Sequence, residues 1–198
     1  MLVFISGAVR SGKSSLGERL AANFAGENRK IYLATAKHYD EEITRRIKIH
    51  QQNRADKGFL TIDKSYSIGD LAAVLRPEDT VLLDCLGTLL ANEMFEREGS
   101  PSALELENSE ANDSELSYYE AVGNKIFEQI MLLNKKVANF IVISNEIFGD
   151  GIVYAKSIEA YRKTLAKLHI ILVEKSDLAL ECVYAGYHCH KGKLVKAK

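Results

Sequence analysis

Gly7-Ala8-Val9-Arg10-Ser11-Gly12-Lys13-Ser14 is the stretch on which the fold of this chain turns. It matches G-x-x-x-x-G-K-[ST], and each fixed position has a physical task. Gly7 and Gly12 let the backbone turn tightly, so that successive N–H groups converge on phosphate oxygens. Lys13 is placed to reach the β/γ-phosphates, and the Ser14 hydroxyl is a ligand for Mg²⁺. The whole run from Gly7 to Ser14, with Ala8, Val9, Arg10 and Ser11 between the glycines, is therefore expected to cradle a nucleotide triphosphate. The flanks agree: apolar residues 2–6 read as a buried strand. Ser14 to Phe24 carries Leu16, Leu20 and Phe24 at helical spacing, and the helix N-terminus favours anions.

Outward from the loop, short Val-, Ile- and Leu-rich runs at 30–35, 80–84 and 140–144 repeat the pattern of strands buried on both faces of a mostly parallel sheet. Helical patterns lie between them, at Asp40 to Asn53, at Leu116 to Val137, and along Ile158, Tyr161, Leu165, Leu168 and Leu172 to about Ser176. The run His169-Ile170-Ile171-Leu172-Val173 has a strand-like composition, but helix is the preferred reading, followed by a strand from Leu178 to Tyr184. The fold class that follows is α/β: a single P-loop NTPase-like domain over residues 1–198, with a mostly parallel central sheet flanked by helices. The acidic stretch 96–115, which contains Gly99-Ser100-Pro101, lacks a period and reads as a mobile surface loop.

Thr80-Val81-Leu82-Leu83-Asp84 places a carboxylate at the carboxyl end of a strand, where open α/β sheets bind ligands. Asp84 is thus the expected acidic partner of Ser14 at the metal and nucleotide, hard oxygens being what Mg²⁺ demands.

Bulk properties bound the partners. With 26 basic and 27 acidic residues the net charge is −1, which gives no electrostatic footprint for nucleic acid. No apolar run approaches the roughly 20 residues that span a bilayer, so membrane insertion is not expected. Leu2-Val3-Phe4-Ile5 is too short for a signal-peptide core. Cys85, Cys182 and Cys189 form no CxxC pair and suggest no disulfide framework, so a cytoplasmic location is expected.

Between Asp40 and Arg54, Arg46, His50 and Arg54 fall at i, i+4 and i+8 on one helix face, with Glu42 a turn earlier. Nearby positive charge keeps an imidazole neutral and hence nucleophilic, and arginines can hold a phosphate under attack. Taken alone, this ladder reads first as a solvated helix face.

Several motifs in one order reverse that preference. The phosphate loop, Ile31-Tyr32-Leu33-Ala34-Thr35-Ala36, the His50 helix, Asp84-Cys85-Leu86 with Asn92, and Asn145-Glu146 with Gly149-Asp150-Gly151-Ile152-Val153 span nearly the whole chain. Together they resemble the bifunctional adenosylcobinamide kinase / adenosylcobinamide-phosphate guanylyltransferase family of cobalamin biosynthesis. That resemblance implies phosphorylation of the aminopropanol hydroxyl of adenosylcobinamide with ATP or GTP. It also implies attack of His50 on the α-phosphate of GTP and passage of GMP to the phosphorylated corrinoid. Lys13, Arg46 and Arg54 would be catalytic beside His50. Ala34, Thr35, Ala36, Gln51, Arg54, Asp63 and Asp84 would contact the nucleotide, with Asp63 standing where the family usually has Glu. A homotrimer is implied as well.

The chain departs from the family at Ala8, at Gly87-Thr88-Leu89, at Tyr154 where a proline is usual, at Tyr161-Arg162-Lys163, and at Ala166 and His169-Ile170. Nucleotide chemistry is therefore better supported than the acceptor's identity. Two other classes remain open: a P-loop kinase or NTPase acting on another small molecule, and a nucleotide-binding regulatory protein without catalysis. His188-Cys189-His190 offers two metal ligands per strand face at best and is not read as a metal site. Cys85 is read as a small buried residue.

Overall fold

The computed structural model describes residues 1–37, 56–96, 113–184 and 186–193, side chains being described from 118 onward in the third segment. The described strands are β1 (Leu2–Gly7), β2 (Lys30–Ala34), β3 (Phe59–Asp63), β4 (Thr80–Asp84), β5 (Asn139–Asn145), β6 (Leu178–Val183) and β7 (Gly186–Lys191). They form one sheet in the order β3-β2-β4-β5-β1-β6-β7, parallel except for β7, which returns antiparallel along β6.

The central strands are continuous apolar runs because both faces are covered. Phe4, Leu83 and Val142 face a large core with the helices α2 (Leu86–Ala91), α3 (Asp113–Lys136) and α4 (Lys156–Lys175). Their neighbours Val3, Ile5, Leu82 and Ile143 face α1 (Lys13–Ala25) through Leu16, Leu20 and Ala21. This alternation is the period of two of a strand. Each fully buried Leu, Ile, Val or Phe contributes about 1.5–3 kcal/mol of transfer free energy.

The strand readings at the amino-terminal loop, at 30–35, 80–84 and 140–144, and after Leu178 are all found, within a residue or two. Residues 156–175 are helix, so the strand-like composition of 169–173 yields to the apolar face of α4, where Leu165, Leu168 and Leu172 are buried. At both ends of the stretch 96–115, where a loop was expected, the described residues are helical. Glu96 closes a π-helical turn, Asn92–Glu96, and α3 begins at Asp113. Residues 97–112 of that stretch, and the expected helix at Asp40 to Asn53, lie outside the described residues.

Among the described residues, five elements have no counterpart in the sequence reading: β3, β7, α2, the 3₁₀ turn Ile68–Ala73 and the π-helical turn Asn92–Glu96. β7 is exposed throughout and is fixed partly by Lys191, whose ammonium donates to the Val173 and Glu174 carbonyls at the end of α4 (3.3 and 2.5 Å). A cation at a helix C-terminus also complements the dipole. Among the described residues no helix is long and apolar enough to cross a membrane.

Gly17 lets α1 lie close on the sheet: a Cβ there would sit 2.8 Å from Ile143 Cδ1 and 2.9 Å from Leu82 Cδ1. Gly17→Val is expected to lower the unfolding free energy by about 1–3 kcal/mol, the usual range for overpacking. Urea titration checks this, and an unchanged midpoint would contradict the close approach.

Candidate functional site

The phosphate loop leaves β1 at Gly7, where no side chain fits. A Cβ would lie 2.6 Å from Ser11 Oγ and 2.8 Å from the Cys182 carbonyl oxygen. Arg10 (φ 62°) and Gly12 (φ 94°) take the left-handed conformation, and such turns aim N–H groups into a concave anion nest. The helix α1 starts from Gly12 with no side-chain cap and no acidic residue in its first turn, which leaves its first N–H groups to an external acceptor. Lys13 is buried, and its ammonium folds back to the Ala8 carbonyl at 3.1 Å. Ser11 Oγ is buried without a hydrogen-bond partner among the described residues. A buried orphan hydroxyl beside a coiled-back lysine is what an anion site presents before its ligand arrives. Ala8, Val9 and Arg10 are exposed at the mouth, and Ser14 is half-buried.

Asp84 ends β4, one strand away from the phosphate loop because β5 lies between β4 and β1. The Tyr32 hydroxyl donates to Asp84 Oδ2 at 2.5 Å, and Oδ1 has no partner among the described residues. Asp63, Ala34 and Asp84 are register partners across three neighbouring strands, so they form one row at the carboxyl edge. Behind this row Thr35 is fully used by the protein. Its N–H donates to the Asp84 carbonyl (3.2 Å), its hydroxyl bridges the Cys85 N–H and carbonyl (2.9 Å each), and its carbonyl accepts from Asn92 Nδ2 (2.8 Å). Thr35 thus shapes the ledge beneath Asp84 and has no polar atom left over for a ligand. Ala34 is buried and Ala36 exposed. Burial and the neighbouring Asp84 carboxylate push the Cys85 thiol up, which disfavours the thiolate and agrees with a packing role.

The segment after β5 builds the adjoining cleft. Glu146 donates its N–H to the Gly7 carbonyl (2.9 Å), and its Oε1 accepts from the Phe148 N–H (2.7 Å). Arg162 on α4 binds the segment together: its terminal nitrogens donate to the carbonyls of Phe148 and Ile152 and to Asp150 and Glu159, at 3.0–3.3 Å. The Tyr154 hydroxyl donates to Asp150 Oδ2 at 2.7 Å, and its ring lies 5.0 Å from the Arg162 guanidinium carbon. Glu146, Asp150, Tyr154, Ile158, Tyr161 and Arg162 line a cleft of about 570 Å³. The Tyr161 hydroxyl donates to the Gly87 carbonyl at 3.2 Å, and burial pushes its pKa up to about 12. None of these residues was identified from sequence as a site. The available signal was an acid, Glu146, immediately following an apolar strand beside the phosphate loop.

Arg46, His50, Gln51, Arg54 and His38 lie outside the described residues. On β7, His188, Cys189 and His190 are exposed, and His190 Nε2 sits 2.8 Å from Glu181 Oε2. Among the described residues no three His, Cys, Asp or Glu side chains converge on one point.

Under the cleft segment, His169 Nε2 lies 2.7 Å from Ser144 Oγ, and its ring meets Phe4 and Phe148 edge-on. Burial lowers its pKa from 6.5 to about 4. The folded state therefore favours neutral imidazole. The stability this confers is complete above pH 6.5 and is lost as pH falls from there through about 4. His169→Asn is expected to flatten the dependence of the urea midpoint on pH across that window. An unchanged slope would assign the acid sensitivity elsewhere.

Comparison with known proteins identifies relatives of this arrangement. The family model described as cobinamide kinase / cobinamide phosphate guanyltransferase matches residues 3–190. The Escherichia coli protein named bifunctional adenosylcobalamin biosynthesis protein CobU is 27% identical over 154 residues, which cover 77% of this chain and 78% of that protein. Its namesake from Salmonella typhimurium is 28% identical over 157 residues, with the same shares covered. Among solved structures, the flagellar accessory protein FlaH from Methanocaldococcus jannaschii aligns over 98% of this chain and 79% of its own, at 16% identity and a TM-score of 0.47.

Proposed function

The chain belongs to the cobinamide kinase / cobinamide phosphate guanyltransferase family, and from that premise we propose that it carries out both reactions. In the first it phosphorylates adenosylcobinamide with ATP or GTP. In the second it transfers GMP from GTP to adenosylcobinamide phosphate through a covalent GMP adduct on His50. The observation that carries the reading is the phosphate loop. The left-handed Gly12, the buried Lys13 and the orphan Ser11 hydroxyl form an anion cradle between β1 and α1.

The proposed roles follow from chemistry. The N–H groups from Gly7 to Ser14 hold the phosphates, and Lys13 exchanges its bond to the Ala8 carbonyl for phosphate oxygen. The donor set fits Mg²⁺, since the Ser14 hydroxyl and Asp84 Oδ1, which has no partner among the described residues, are hard oxygen ligands. The metal ion, when bound, would neutralise charge on the phosphates. Tyr32 fixes the orientation of the Asp84 carboxylate through its 2.5 Å hydrogen bond. Ala34, Ala36, Gln51, Arg54 and Asp63 are proposed to contact the nucleotide. Thr35 is proposed to act through the ledge it builds.

For guanylyl transfer, a ring nitrogen of His50 attacks the α-phosphorus of GTP. The N–P bond forms, the bond to the α–β bridging oxygen breaks, and pyrophosphate leaves. A phosphate oxygen of the phosphorylated corrinoid then displaces His50, and Arg46 and Arg54 hold the charge on the phosphate in flight. Covalent catalysis thereby divides one difficult displacement into two easier ones. We further propose a single domain, assembled as a homotrimer in the cytoplasm; the free cysteines Cys85, Cys182 and Cys189 are compatible with a reducing compartment.

Incubation with α-labelled GTP and Mg²⁺ is expected to give an acid-labile, base-stable protein label that is absent from His50→Ala and discharged by adenosylcobinamide phosphate. Full labelling of His50→Ala would contradict the covalent role. Lys13→Ala is expected to reduce phosphorylation of adenosylcobinamide by about 100-fold or more, as loss of a preorganised charge contact does. Unchanged turnover would remove Lys13 from the chemistry.

A further inference from the structure

We infer that the cleft beside the phosphate loop seats the acceptor alcohol, and that Glu146 takes the proton from its hydroxyl during phosphoryl transfer. This rests on the kinase reading given above and adds to it the place of the acceptor and the base.

Position is the first ground. β1 and β5 run side by side with Gly7 opposite Asn145, and the Glu146 N–H is bonded to the Gly7 carbonyl. Glu146 also lines the cleft, so cleft and phosphate loop meet at this residue. The second ground is the state of the carboxylate. Oε1 is anchored by the Phe148 N–H at 2.7 Å, while Oε2 has no partner among the described residues. One oxygen held and one free is the arrangement a positioned base requires.

The third ground is the chemistry of the walls. Ile147, Ile158 and the rings of Tyr154 and Tyr161 supply apolar surface, and about 570 Å³ is within the range of small-molecule sites. Glu146 and Asp150 supply carboxylates. Both terminal nitrogens of Arg162 are consumed by Asp150, Glu159 and two carbonyls, so among the described residues that line the cleft no cation is left to attract an anionic ligand. An alcohol that carries no negative charge and has a broad apolar surface fits, and a second polyphosphate does not.

The step balances as follows. The acceptor oxygen attacks the γ-phosphorus and a new O–P bond forms. The bond from that phosphorus to the β–γ bridging oxygen breaks, and nucleoside diphosphate leaves. The hydroxyl proton passes to Glu146 Oε2 and from there to water.

Two variants test the inference in the full-length protein, with adenosylcobinamide as acceptor. Glu146→Gln is expected to lower kcat for phosphorylation by about 100-fold or more, within the usual contribution of a positioned base, and to leave the Kd for GTP unchanged. Gly149→Trp places a bulky ring on the lining of the cleft, at a position where an added side-chain carbon meets nothing within 4 Å. It is expected to raise KM for the acceptor by about tenfold or more, again with the Kd for GTP unchanged. Retained GTP affinity certifies that each variant is folded. Wild-type kcat in Glu146→Gln would overturn the base, and wild-type KM in Gly149→Trp would overturn the seat. A wild-type protein that binds GTP but phosphorylates no adenosylcobinamide would instead overturn the kinase reading.

Discussion

The structure depends on how closely other atoms approach Gly7. On one side Ser11 Oγ and on the other the Cys182 backbone come so near that a single added carbon would lie 2.6 and 2.8 Å from them. The Gly7 carbonyl is at the same time clasped by the Glu146 N–H. One residue therefore joins three segments: the phosphate loop, the end of β6 and the segment leaving β5. Because β1 lies inside the sheet between β5 and β6, the loop inherits the rigidity of the whole core. A cradle for phosphate is useful only when its N–H groups are held in place beforehand, since reorganisation on binding would cost affinity.

The two sheet faces divide the labour. On one face α1 stands with Gly17 against β4 and β5, which brings its N-terminus and Lys13 to the carboxyl edge. On the other, α2, α3 and α4 complete the larger core, and α4 carries Arg162 and His169 beneath the segment that follows β5. The row Asp63, Ala34, Asp84 continues the same edge toward β3. Anion cradle, carboxylate row and cleft thus share one rim, as expected of open parallel sheets.

Legibility from sequence tracked how local the governing physics is. β1, β2, β4, β5, β6 and the helices α1, α3 and α4 could be read, because burial on both sheet faces or one helix face writes a period into the residues. β3 could not, since Phe59-Leu60-Thr61-Ile62-Asp63 is a short edge strand of mixed exposure. β7 carries no apolar signal at all, as Gly186-Tyr187-His188-Cys189-His190-Lys191 is exposed throughout. The phosphate loop was legible because a backbone turn demands glycine at fixed spacing. Asp84 was legible as a strand end, but its bond to Tyr32 spans 52 positions. The cleft was hidden for the same reason: Arg162 reaches 10 to 14 residues back to Ile152, Asp150 and Phe148, and no periodicity encodes that.

Of the positions where the sequence departs from the family it resembles, Tyr154 and Tyr161-Arg162 lie at this cleft and Ala8 in the phosphate loop. Tyr154, where a proline is usual, is the residue whose hydroxyl ties to Asp150 and whose ring carries Arg162, and His169 supports the same segment from below. The central claim is that the Gly7 to Ser14 loop binds the nucleotide. A crystal structure with a non-hydrolysable GTP analogue and Mg²⁺ tests it most directly. The phosphates are expected on that loop, with the Lys13 ammonium moved from the Ala8 carbonyl to a phosphate oxygen. Nucleotide bound elsewhere, with Lys13 still on Ala8, would contradict it.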